Sequence, residues 1–160
     1  MNKLFSVLIA GLSIVSLAQS ARAESVNIPG SAGVPDNDGY CAVQLDSGQT
    51  FSQYGPTCQV MYPVSLPVGK TIDTVELDYY FGGGVADAAV TGYLESRQVK
   101  PLGSVAQLGS WFAYPKNAGE GYFHFPFFTY NIPVTPSTSY WVRVEAFHGI
   151  SINNVTINYH

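Results

Sequence analysis

The chain has 160 residues, of which 11% are charged and 14% aromatic, with seven Lys and Arg against eleven Asp and Glu. Basic residues this scarce and unclustered exclude nucleic acid as a partner, because binding to a phosphate backbone is driven by Lys and Arg neutralisation. A charged fraction under half the usual ~25% leaves solubility to Ser, Thr, Asn, Gln and the tyrosine hydroxyls.

Met1-Asn2-Lys3 gives a short basic start, Leu4 to Ala18 an apolar run, and Ala21-Arg22-Ala23 a small-residue cleavage motif. Residues 1–23 therefore read as a secretory signal peptide. The apolar run is too short for a membrane span, and no cysteine follows the motif to accept a lipid. Removing the segment leaves five basic residues against all eleven acidic ones, a formal charge of −6. What remains suits one domain able to bury a core of its own. The reading implies a periplasmic or extracellular destination, where Cys41 and Cys58, the two cysteines, pair as a disulfide. In the chain-entropy account a closed loop of this length contributes ~3 kcal/mol.

Residues 24–39 are rich in Gly, Pro, Ser, Asn and Asp, and read as a flexible leader or an irregular first loop before a β-domain over 40–160. Cys41, Val43 and Leu45 alternate with polar neighbours, and Asp46-Ser47-Gly48 supplies turn chemistry before a second strand over 49–54. Cys58 to Leu66 is strand-like, with Pro63 placing it at a sheet edge or bulge.

The clearest signal follows. Val75, Leu77, Tyr79 and Phe81 alternate with Glu76, Asp78 and Tyr80, a period of two that sends one set to a core and the other outward. With Ala88 to Arg97 this stretch reads as a pair of strands joined through Gly82-Gly83-Gly84. A turn at Pro101-Leu102-Gly103 precedes short runs over 104–108 and 111–114. The segment 122–134 is aromatic on both faces, Phe123, Phe125 and Phe127 on one and Tyr122, His124, Phe128 and Tyr130 on the other, which predicts cover on both. Tyr140, Val142, Val144 and Ala146 alternate with Trp141, Arg143, Glu145 and Phe147. The last strand, 150–159, changes apolar phase at Asn153-Asn154, as a bulge would.

Seven to nine short strands without helical periodicity predict an all-β fold, an antiparallel β-sandwich of jelly-roll or immunoglobulin-like type with one disulfide. An eight-stranded outer-membrane barrel fits poorly with Pro63, Pro126 and Pro133 inside runs and with strands apolar on both faces. The succession Ile72 to Tyr80, Val90 to Leu94, Tyr140 to Val144 and Ile150 to Tyr159 resembles small exported bacterial β-sandwich proteins, a largely uncharacterised group. The likeness covers about the last 90 residues and consists of strand patterns. It implies a fold and a compartment, and no catalytic motif.

Asp78, Tyr80, Tyr93, Glu95, Trp141 and Arg143 are the candidate ligand-binding residues. A sugar offers C–H faces to aromatic rings and hydroxyls to carboxylates and guanidinium groups, so such an outward set suits a glycan. The competing reading is that these are cross-strand pairs stabilising a solvated face at ~0.2 to 1 kcal/mol each.

No metal or other cofactor is expected. Asp36-Asn37-Asp38-Gly39 begins like a calcium loop but has Ser47 where a closing Glu would stand, and His124, His148 and His160 lack ligand spacing. Gly109-Ser110-Trp111 is not a nucleophile elbow, and Gly82 to Gly84 lack the Lys-Ser/Thr of a phosphate loop. The sequence thus favours a non-catalytic exported module for carbohydrate or a cell-envelope ligand. The alternative is a structural or protein-interaction component of the envelope or matrix. A lesser one is a hydrolase using Glu76 and Glu95 facing each other.

Overall fold

A computed structural model describes residues 23–35, 41–44, 49–52, 57–82, 88–99, 101–113, 119–126, 131–147 and 149–160. Twelve strands are found among them: β1 (Glu24–Pro29), β2 (Val34–Pro35), β3 (Cys41–Gln44), β4 (Gln49–Ser52), β5 (Thr57–Val64), β6 (Thr71–Phe81), β7 (Val90–Gln98), β8 (Val105–Ala113), β9 (Gly121–Pro126), β10 (Ile132–Pro133), β11 (Thr138–Phe147) and β12 (Ile150–Tyr159). Two antiparallel sheets result. Sheet A runs β10-β6-β12-β4-β3, with β9 also on β6 and β1 also on β12, and sheet B runs β2-β5-β11-β7-β8.

The alternation read from the sequence sets the core. Val75, Leu77, Tyr79 and Phe81 of β6 and Ile150, Ile152, Val155 and Ile157 of β12 are buried against Val60 and Tyr62 of β5, Leu94 of β7, and Val142 and Val144 of β11. Burying each such side chain stabilises the fold by ~1.5–3 kcal/mol. The phase change in β12 is a bulge: its register with β6 shifts between Ile152 and Asn154, so that Ile152 and Val155 both face inward. Cys41 and Cys58 form the disulfide, and because β3 lies in sheet A and β5 in sheet B, it staples the two layers. Pro63 sits on β5 beyond the two residues that β2 pairs, where sheet B has an open edge.

Three expectations change. The stretch Ile72 to Arg97 is not a pair of bonded strands. β6 bonds to β12, β9 and β10, whereas β7 bonds to β11 and β8 in the other sheet. Alternation reports which side chains point inward, and two strands facing each other across a core carry the same pattern as two strands side by side. Residues 24–35 form β1, a short 3-10 turn and β2, where a leader or loop was expected. Val26 and Ile28 pair with Ile157 and Val155 along the edge of β12, and the Gly30 carbonyl accepts from Thr50 Oγ1 at 2.7 Å and Tyr62 Oη at 3.3 Å. A Cβ at Gly33 would lie 2.2 Å from Val60, so only glycine lets this segment lie so close to β5.

Finally, β9 is covered on one face. Phe123 and Phe125 pack inward, Phe123 stacking on Tyr79, while Tyr122 is 75% exposed. Phe127, Phe128, Tyr130 and the turn at 45–48 lie outside the described residues, as do the segments 1–22 and 36–40. No helix among the described residues is long and apolar enough to cross a membrane.

Candidate functional site

Antiparallel register determines which outward side chains meet. On sheet B, Pro63, Trp141, Glu95 and Gln107 form one row across β5, β11, β7 and β8. The next row is Met61, Arg143, Tyr93 and Ser110, and the third is Gln59, Glu145, Thr91 and Phe112. Four of the six candidate residues therefore converge.

Glu95 is the hub. It is only 7% exposed, and its Oε2 accepts from Trp141 Nε1 at 2.7 Å while Oε1 accepts from Arg143 Nη2 at 2.9 Å and Nε at 3.2 Å. Arg143 also donates from Nη1 to Glu145, and its guanidinium carbon lies 3.9 Å from the Tyr93 ring centroid. Gln59 donates to Glu145 at 3.2 Å. Burial works against the Arg143 charge, but Glu95 and Glu145 outweigh it and hold its pKa above the ordinary value. Burial, with Glu145 close by, also raises the Tyr93 phenol. The result is a pre-set array of planar groups, with Phe112 57% exposed at its margin. Glu145 follows Arg143 in the outward set that the alternation of β11 predicts, whereas Phe112 and Gln59 join only through register, which no local pattern in the sequence reveals.

Asp78 and Tyr80 are not part of this array. They lie on the outer face of sheet A, on the far side of the sandwich, because β6 and β7 belong to different sheets. There Asp78 is 2.7 Å from His124 Nδ1, Tyr80 donates to Glu120 and stands 5.0 Å from Tyr122, and Asn154 links Asp78 to Thr156, which in turn bonds Asn27. Glu76 accepts from Asn158 at 2.7 Å on the same face. Glu76 and Glu95 are thus on opposite outer surfaces. Sheets pack ~10 Å apart, so these carboxylates cannot come within the ~5–9.5 Å that a glycosidase pair needs, and the facing pair on which the lesser hydrolase alternative rests is not formed.

No protein-family model matches the chain, and no curated protein matches its sequence. Solved structures do match in shape. The C-terminal CBM6 of LamC, a marine laminarinase from Zobellia galactanivorans, superposes with a TM-score of 0.55 at 15% identity, over 84% of this chain and 98% of that one. The CBM36-1 domain of a multidomain xylanase from the hindgut metagenome of Trinervitermes trinervoides gives 0.50 at 11% identity, over 84% and 96%. At these identities the likeness is one of fold: the chain has the β-sandwich architecture found in carbohydrate-binding modules.

Proposed function

We propose that this chain is an exported, non-catalytic carbohydrate-binding module that engages a glycan through the outer face of sheet B. The observation that carries the reading is the array centred on Glu95, which fixes Trp141, Arg143 and Tyr93 side by side across β11 and β7. Two neighbours in shape bear names as modules of this kind, from a laminarinase and a xylanase, and lend it support. Reading residues 1–23 as a signal peptide fits a domain stapled by Cys41–Cys58.

The residues divide the work. Both oxygens of Glu95 are occupied, so it is a positioning residue that holds Trp141 and Arg143. Trp141, Tyr93 and Phe112 offer ring faces to sugar C–H groups, and Arg143 and Glu145 offer polar atoms to hydroxyls. Arranging these groups before binding lowers the ordering cost of association.

Depletion assays on insoluble polysaccharides test the reading. Trp141→Ala should weaken retention about tenfold, equivalent to ~1.4 kcal/mol, with an unchanged circular dichroism spectrum. Failure of the native protein to bind any glycan in a broad array would overturn it.

A further inference from the structure

The inward rows of sheet B change character along their length. On β7 they run Val90, Gly92, Leu94, then Ser96 and Gln98; on β11 they run Ala146, Val144, Val142, then Tyr140 and Thr138. On β8 the matching positions are Ala113, Trp111, Gly109 and Ala106. At one end Trp111 fills the space between the sheets: it lies over Gly92, where a Cβ would come within 1.7 Å of the indole, and stacks on Phe125 of β9 at 5.8 Å. At the other end Ala106 is exposed and leaves that space open, and the inward rows turn to Ser96, Gln98 and Thr138 where a core would have aliphatics.

The opening is a cleft of about 690 Å³ between sheet B and β10 of sheet A. That volume falls in the ~300–1,000 Å³ range of ligand sites. Ser96, Gln98, Ser104 and Thr138 line it with polar atoms, and Leu108, Ile132 and Pro133 add an apolar wall. None of its described lining residues is charged.

Its walls are braced. Tyr140 Oη donates to the Pro133 carbonyl at 3.1 Å and accepts from Thr135 N at 3.1 Å, while Val99 N donates to Ser137 O at 2.7 Å and Gly103 N to Gln98 O at 2.9 Å. Asn131 and Ser137, at the two ends of the segment forming one wall, hold left-handed conformations at φ 52° and 61°. Asparagine adopts such an angle readily, whereas serine is held there by its surroundings.

We infer that this cleft is a second binding site, separate from the outer face, and that it takes a segment of an uncharged glycan. The inference rests on the carbohydrate reading above. Hydroxyl and amide side chains exchange hydrogen bonds with sugar hydroxyls, and Leu108, Ile132 and Pro133 match the C–H faces. Among the described lining residues none carries a charge that would pair with an anionic ligand, and Arg97, which reaches the lining residue Gly103, is tied through Nε to its carbonyl at 2.9 Å.

Amide chemical-shift titrations with soluble neutral gluco-, xylo- and galacto-oligosaccharides test it on the full chain. A binding oligosaccharide should shift Ser96, Gln98 and Thr138, and should still do so in Trp141→Ala. Ala106→Trp and Ser104→Tyr, both at exposed positions, should fill the cleft and weaken those shifts at least tenfold in apparent affinity while leaving shifts around Tyr93 in place. Shifts confined to Tyr93 and Trp141, unchanged by either filling variant, would overturn the cleft alone. Filling variants that keep full shifts at Ser96 and Thr138 would do the same. No shift anywhere in the native protein, or cleft shifts produced by extended peptides and by no sugar, would overturn both the cleft and its glycan.

Discussion

On the outer face of sheet B one carboxylate, Glu95, is nearly buried and carries three hydrogen bonds to Trp141 and Arg143. On the outer face of sheet A, Asp78 and His124 sit in solvent with side chains 40% and 55% exposed, within a chain of Asn, Thr and His contacts. Strands of the same alternation thus carry two kinds of polar surface. The first removes charge from water and must satisfy it in place; the second leaves charge hydrated and gains little from pairing it. A rigid array of rings and a guanidinium suits recognition, whereas the solvated ladder suits solubility in a chain with few charges.

Breaking the hub should give the largest effect. Glu95→Ala leaves the Trp141 N–H without its acceptor and Arg143 with Glu145 as its remaining carboxylate, and should cost ~2 kcal/mol in denaturant unfolding, as removing the partner of a buried donor does. A loss under ~1 kcal/mol would place this face in the same class as sheet A. The matching change there, Asp78→Ala, should cost less than ~1 kcal/mol, because its partner His124 stays hydrated. A cost as large as that of Glu95→Ala would erase the distinction.

The smallest effect separates the two tyrosines by the cause of their raised pKa values. Tyr80 is raised first by its hydrogen bond to Glu120, and Tyr93 first by burial. Glu120→Gln should bring Tyr80 back toward the ordinary value of 10.0 and leave Tyr93 high, as read by tyrosine NMR titration. Since both folded pKa values lie above the unfolded one, any stability they contribute is complete below about pH 10 and is lost as pH rises through the folded values. Equal responses of both tyrosines to Glu120→Gln would contradict this assignment.

Much of the architecture was legible. The buried sets of β6 and β11, the bulge at Asn153-Asn154, the edge position of Pro63 and the Cys41–Cys58 pair all match the reading of the residues. Half-legible was the candidate site: Tyr93, Glu95, Trp141 and Arg143 do lie in adjacent outward rows of sheet B, whereas grouping Asp78 and Tyr80 with them needs a strand pairing that does not exist. The polar turn of the inward rows at Ser96 and Thr138 is visible in the sequence, yet its meaning depends on the gap left beside Ala106.

The stretch Ile72 to Arg97 shows where the division lies. Its alternation determined by itself which side chains are buried, because the two-residue period is a property of extended backbone and needs no partner. Whether β6 and β7 lie side by side or face each other across a core was decided only in three dimensions. Strand pairing is a contact between residues far apart in the chain, chosen by how the inward rows of both sheets fill one shared interior, and that choice places Asp78 and Tyr80 on one surface and the Glu95 array on the other.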